Sequence, residues 1–270
     1  RRKPESARSK RILAIIEEHP EKKRHNAGPA SNYEDQRKRR IVQAEENISL
    51  HLNTHAFRVE KKDDRITAVI AQDTLTGREL RFRGRLFADC TGDGNLGYAA
   101  GADFRMGRES KRQTGEARAP EKADEMVMGT SVQWYTEKAS GPQPFPQCPW
   151  AVQFDEETCQ RVTRGDWDWE TGMNQNQVTE IERIRDHALR VTYGNWAYLK
   201  NASDMKERIA NRRLAWVAYI GGKRESRRLL GDVILKAQDI KKQRPFPDAS
   251  VTTTWSIDLH YPHPENTEHF

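Results

Sequence analysis

The stretch Arg85 to Phe104, RLFADCTGDGNLGYAAGADF, constrains this chain more than any other. Its apolar start, Arg85 to Cys90, reads as a strand. Glycines follow at 92, 94 and 97, and then small residues up to Gly101. A strand, a tight turn and a short helix in that order require a sheet for the strand to join. The preceding residues supply the pattern for one. From Ile48 the apolar period is two: Ile48, Leu50 and Leu52 share one face, and Ile66, Ala68 and Ile70 share another. Glu79 to Phe82 is a third run, and the separators KKDD and TG mark turns. A small antiparallel meander between Ala56 and Phe82 is therefore predicted. Upstream the period is helical. Ile12, Ile15 and Ile16 fit a short amphipathic helix over Ser9 to His19, stopped by Pro20. Ser31-Asn32-Tyr33-Glu34 has the form of a capping box opening a helix that runs to about Glu46.

Composition sets outer bounds. With 270 residues the chain has room for one large domain or two, yet only 35% of it is hydrophobic. That is low for a soluble globular domain, so the core is expected to need further partners. The first residues, RRKPESARSK, hold no initiator Met and no apolar signal core, and no run approaches the ~18 apolar residues of a membrane span. The segment reads as a soluble excerpt whose compartment stays open. Cys90, Cys148 and Cys159 are read as free thiols, because three cysteines cannot all pair and none sits in a zinc spacing. His260, His263 and His269 fit no metal-binding helix. Residues 1 to 40 hold 13 Lys and Arg against 6 Asp and Glu, while the whole chain carries +6, so the other 230 residues sum to minus one. The clusters Lys22-Lys23-Arg24 and Arg37-Lys38-Arg39-Arg40 lack interleaved aromatics or any zinc-finger or RNA-recognition signature. They read as a solvated basic face rather than a nucleic-acid surface.

Gly92-Asp93-Gly94-Asn95-Leu96-Gly97 matches G-x-G-x-x-G literally. A dinucleotide fingerprint needs a helix after the glycines, then a strand ending in an acidic residue about twenty positions on. Here the helical room ends at Gly101, and DFRMGRESKRQTGEARAPEKADE contains no period-two apolar run. The literal reading is rejected. A methyltransferase glycine loop fails on register, since its glycines would fall at Thr91, Asp93 and Asn95. What remains is a strand, a glycine turn and a short helix. That arrangement serves either a ligand approached closely by backbone amides or an ordinary corner with Asp93 as helix N-cap.

The order of parts from Ile48 to Phe104 resembles the FAD-dependent oxidoreductases of the glutathione-reductase-like superfamily. There a strand pair and a β-meander precede a strand ending in an ATGDG-like turn, with Cys90 here in place of the usual Ala. A second block, GGKRESRRLLGDVILKAQDI, Gly221 to Ile240, is similar to a G-x-RESRR-x-x-G-D segment of the same group. FPDASVTTTWSIDLHYP, Phe246 to Pro262, is similar to its DA...W-x-ID-x-H stretch. The resemblance implies that Thr91, Gly92, Asp93 and Gly94 lie beside the FAD and that the backbone near Ala56 lies by the adenine. It implies a mixed α/β fold: a partial FAD/NAD(P)-binding Rossmann-like domain with β-meander over residues 1–106, then a substrate-side domain over residues 107–270. It also implies flavin-mediated redox of a small-molecule substrate.

Residue chemistry adds candidates. Arg224, Arg227 and Arg228 beside Glu225 suit either an anionic ligand, including the flavin pyrophosphate, or a structural ion-pair network. His260, with Asp258 two residues before it on the same face of a strand, is a candidate proton donor or acceptor, or a satisfied structural pair. Trp167 and Trp169 suit a substrate wall or, more simply, packing. Two parts of the family pattern are not found: an N-terminal βαβ unit with its own glycine fingerprint, and the closing AGR...S stretch. The chain is accordingly expected to be an internal fragment that needs further parts of its own protein and does not hold FAD tightly alone. The rival readings are a basic nucleic-acid-binding module, whose binding would fall steeply with salt, and a truncated inactive product exposing apolar surface.

Overall fold

In the computed structural model, residues 27–166 and 169–247 are described. The helix expected over Ser9 to His19, Trp167, Asp258, His260, His263 and His269 lie outside them.

A 3-10 turn at Ala30–Tyr33 leads into α1, Asp35–Gln43. The expected capping box does not form. Glu34 adopts a left-handed conformation, φ 51°, which breaks the chain between the 3-10 turn and α1, and no side chain caps either one. Glu34 pairs instead with Arg37 at 3.6 Å, while Lys38, Arg39 and Arg40 are exposed.

The meander is present as β1, Thr54–Lys62, β2, Arg65–Asp73, and β3, Glu79–Arg83, paired antiparallel in that order. Its middle strand departs from simple alternation: Ala68, Val69, Ile70 and Ala71 are all buried, so β2 is covered on both faces. Gly77, φ +75°, and the Asp73 carboxylate, which accepts the N–H groups of Leu75 and Thr76, shape the β2–β3 turn.

Two expected strands are absent. Ile48, Leu50 and Leu52 precede β1 without pairing, 51%, 39% and 51% exposed. Arg85 to Cys90 also joins no ladder, and Leu86 is 92% exposed. The alternation of Ile48 to Leu52 and the apolar run of Leu86 to Ala88 are real, but a strand exists only through hydrogen bonds to a neighbour, and neither segment has one among the described residues.

After the glycine turn come α2, Asn95–Ala99, β4, Phe104–Arg105, and α3, Lys111–Thr114. Ser110 caps α3 in a reciprocal capping box with Gln113. The larger core follows. Its sheet has β6, Trp134–Lys138, between β7, Arg164–Gly165, and β9, Arg212–Val217. A second pair joins β5, Thr130–Ser131, to β8, Glu170–Thr171.

Against these lies α4, Ile181–Asn201, which buries Ile184, Ala188, Val191, Thr192, Asn195 and Leu199 along one stripe at helical spacing. Trp134, Trp169 and Trp196 fill the centre, with Trp134 and Trp169 edge to face at 5.4 Å. The packing use of Trp169 is therefore the one realised. Gly194 lets α4 meet the Val152 carbonyl, where a Cβ would fall 1.8 Å from the oxygen. At the end of α4 the Lys200 ammonium donates to the carbonyls of Ile209, Ala210 and Arg212 at 2.9–3.0 Å, tying the helix to the start of β9. Desolvation pushes its pKa down.

Beyond β9, β10, Arg228–Leu229, pairs antiparallel with β4, and α5, Ala237–Lys241, is the last element described. The result is a mixed α/β fold in which every described strand pair is antiparallel. Among the described residues no helix is long and apolar enough to cross a membrane. Cys90 is exposed and Cys148 and Cys159 are buried, all three as free thiols.

Candidate functional site: the glycine turn and its strap

The turn after Cys90 is organised by an aspartate. Asp89 Oδ1 accepts the Thr91 N–H at 3.0 Å and the Thr91 hydroxyl at 2.7 Å, and Oδ2 accepts the Gly97 N–H at 3.0 Å. Burial pushes the Asp89 pKa up, but the hydrogen bonds from Gly97 and Thr91 outweigh it and hold the carboxyl below its usual range. Thr91 Oγ1 in turn accepts the Asn95 N–H at 2.9 Å, closing the first amide of α2. The N-cap position itself belongs to Gly94, φ 62°, with no side-chain cap. Asp93 is thus not the cap of this helix.

Its carboxylate faces the other way, toward residues 130 positions later. Ser226 Oγ donates to Asp93 Oδ1 at 2.7 Å and the Lys223 ammonium pairs with Oδ2. Burial raises the Asp93 pKa, yet the Lys223 and Ser226 hydrogen bonds win and the group stays below the usual carboxylate value. Arg227 completes the contact. It donates to the Asp93 carbonyl at 3.3 Å and to Asn95 Oδ1 at 3.0 Å, with its guanidinium 3.9 Å above the Tyr98 ring.

The glycines divide by role. A Cβ on Gly97 would lie 2.3 Å from Leu229 Cδ1, and one on Gly94 3.1 Å from Leu229 Cγ, so both make room for β10. Gly92 differs: at φ +82° an added Cβ meets nothing within 4 Å. The N–H groups of Gly92, Asp93 and Gly94 have no acceptor among the described residues.

The other arginines of the block are held within the chain. Arg224 pairs with Glu170, whose side chain is 3% exposed and whose Oε2 accepts the Gly129 N–H at 3.2 Å. Arg228 pairs with Glu225 and donates to the Gly107 carbonyl at 2.6 Å and to Glu109 at 3.3 Å. Arg224 and Arg228 thus stand in an ion-pair network. Beside Arg228 a cleft of about 440 Å³ opens between α3, β10 and Val233 to Lys236, walled by Arg105, Glu109 and Leu230 among others. Ala56 lies on β1 opposite Ala71, where the register shifts before Arg58. β1 still reaches α2, through Lys61 Nζ on the Ala100 carbonyl at 2.6 Å.

Sequence reasoning missed Asp89, Lys223, Ser226, Glu170 and Leu229. For Asp89 a signal existed, since an aspartate two residues before a turn hydroxyl is a recurrent turn device. Lys223 immediately precedes RESRR and Ser226 stands inside it, but both lack the forked donors that singled out its arginines. Nothing local marks Glu170 or Leu229.

The family model described as FAD dependent oxidoreductase matches residues 31–270, which takes in the meander, the glycine turn, residues 222–228 and the larger core. No curated protein and no solved structure matches the chain. A match over most of the chain, agreeing with the glycine turn and the RESRR block, settles the affiliation: the chain belongs to the family of FAD dependent oxidoreductases, with FAD as cofactor and flavin-linked redox as its chemistry.

Proposed function

We propose that the turn Thr91–Gly94 lines the FAD of this oxidoreductase, in a flavin-binding part that runs to about residue 106. Residues 107–270 then form the substrate side for an oxidation or reduction of a small molecule. The observation that carries this reading is Gly92. Its left-handed backbone faces open space, and three consecutive amides around it lack acceptors, so a ligand carrying oxygen acceptors can approach without meeting a Cβ. Bound FAD supplies the electron-transfer chemistry. The chain's own residues orient the turn: Asp89 ties it to α2, Thr91 closes the helix start, and Asp93 is held from behind by the strap. Ala56 is kept as a second, more distant flavin contact on β1. Arg228 lines the cleft together with Glu109 and Glu116, and the cleft is the place for the small-molecule substrate. Arg224 holds Glu170 and Arg227 holds the glycine turn, away from the cleft lining, and Asp258 and His260 are candidates for proton handling.

The test is a visible absorbance spectrum of the purified protein, after FAD is added and the excess removed. The wild type should retain flavin, and Gly92→Val, which puts a branched side chain on the open face, should lose most of it. Retention of wild-type flavin by a folded Gly92→Val protein would refute the placement.

A further inference from the structure

The segment Gly222 to Arg228 touches two parts of the fold at once. On one side Lys223, Ser226 and Arg227 grip Asp93 and Asn95 in the glycine turn. On the other, Gly222 exchanges both backbone hydrogen bonds with Ser131 at 2.8 and 3.1 Å, and Arg224 pairs with buried Glu170. Glu225 Oε2 accepts the Met128 N–H at 3.0 Å. Lys223, Ser226 and Arg227 therefore bind the turn, while Arg224, Glu225 and the Gly222 backbone bind Glu170 of β8, Met128 and Ser131 of β5, so one short segment joins the two. The pairs are not loose surface contacts: the Asp93 side chain is 14% exposed and Lys223 25%, and Asp93 has both oxygens engaged. Half-buried, doubly bonded carboxylates fix geometry better than exposed pairs do.

We propose that residues 222–228 are a strap that sets the flavin turn from the substrate side, with Lys223 and Ser226 as positioning residues acting through the Asp93 carboxylate. The inference rests on the reading that Thr91–Gly94 lines FAD. Physically, Asp89 and Thr91 anchor the two ends of the turn, but Gly92 and Gly94 are both left-handed glycines, so the orientation of the amides between them depends on how Asp93 is held. Removing Lys223 leaves Asp93 with a hydroxyl donor on one oxygen and an unpaired charge on the other. The turn then relaxes and the preorganisation of its amides is lost. Glu170 and Arg224 do the corresponding work at the far end, so the distance between turn and substrate-side sheet is fixed by chemistry at both ends of one short segment.

The experiment titrates FAD into the full-length apoprotein and follows flavin fluorescence, with thermal unfolding of each apoprotein as the folding control. Lys223→Met should weaken FAD about tenfold, the scale of one lost charge-assisted bond, and shift the visible spectrum of the bound flavin. Lys223→Arg should recover most of the affinity. In an Asp93→Asn background, Lys223→Met should cause little further loss, because its effect runs through that carboxylate. Ser226→Ala, which removes one hydroxyl, should give a smaller weakening in the same direction and serves if Lys223→Met does not fold. Wild-type affinity in Lys223→Met and Ser226→Ala, while Gly92→Val abolishes binding, overturns the strap and leaves the flavin placement standing. Wild-type affinity in all three overturns both. An undiminished Lys223→Met loss in the Asp93→Asn background also overturns the positioning role.

Discussion

Gly97→Ala asks why the turn is rich in glycine, and the structure gives an answer with a sign. Gly97 lies in α2 with ordinary helical backbone, where alanine is favoured over glycine by about 1 kcal/mol. In place, the new Cβ would fall 2.3, 2.8 and 3.1 Å from Leu229 Cδ1, Cδ2 and Cγ. The Leu229 backbone is fixed by its pairing with Phe104, so the side chain must rotate away. Because Leu229 is 37% exposed it has somewhere to go, and the overpacking cost falls near about 2 kcal/mol, inside the usual range. The net expectation is a loss of about 1 kcal/mol. With Leu229→Ala the obstruction is gone and the introduced methyl group contributes the full helical preference of alanine. The same substitution that costs about 1 kcal/mol beside leucine then stabilises by about 1 kcal/mol beside alanine, a coupling of about 2 kcal/mol. Urea unfolding followed by tryptophan fluorescence of the wild type, both single variants and the double variant measures it. If Gly97→Ala stabilises the wild-type protein, or if the two effects add, Leu229 is not the reason for the glycine.

Other expectations follow from the same packing and charges. Gly194→Ala places a Cβ 1.8 Å from the Val152 carbonyl oxygen, a backbone atom that cannot rotate aside, so it should cost about 3 kcal/mol or more and lower the thermal midpoint far beyond Gly97→Ala; an equal or smaller drop would contradict this. Asp93 has a folded pKa below its unfolded value of about 3.9, so its contribution is full above that value and fades as pH falls through the folded one. Asp93→Asn should therefore lose less stability than wild type on acidification below about pH 4, measured by urea midpoints across pH. Trp196→Ala should cost about 3–5 kcal/mol, since the ring is fully buried in the larger core. Trp196→Phe should cost far less, because the buried Trp196 Nε1 has no hydrogen-bond partner to lose. Equal losses for the two would show that packing shape, not apolar burial, governs the site.

What the sequence disclosed depended on whether the determining interaction was local. The meander was legible because apolar runs, turn residues and short separators all act within ten residues: β2 and β3 fell on the Ile66 to Ile70 and Glu79 to Phe82 runs, and β1 ahead of the KKDD separator. Ile48 to Leu52 and Arg85 to Cys90 carry the same kind of pattern and form no ladder, because alternation reports an apolar face and not a neighbour. The capping box at Ser31 failed at a single residue, Glu34, whose left-handed backbone no pattern of side-chain types announces. α4, by contrast, was readable and passed over. Its stripe from Ile184 to Leu199 is as regular as any in the chain.

The candidate site divides along the same line. Thr91, Gly92 and Gly94 could be picked out because a glycine turn after a strand is a contiguous signal. Asp93 was assigned correctly to the turn, but its partner was invisible: a lysine 130 residues on differs from the other lysines of the chain only in where the fold brings it. The RESRR block suited either an anionic ligand or an ion-pair network, because only Glu225 among its acids is near in sequence. Glu170, Glu225 and Glu109 then turned up opposite them. A cluster of arginines therefore signals a ligand only after the chain's own acids have been placed. Applied to this strap, that test leaves the open amides of the turn, rather than the arginines, as the groups with capacity for a cofactor.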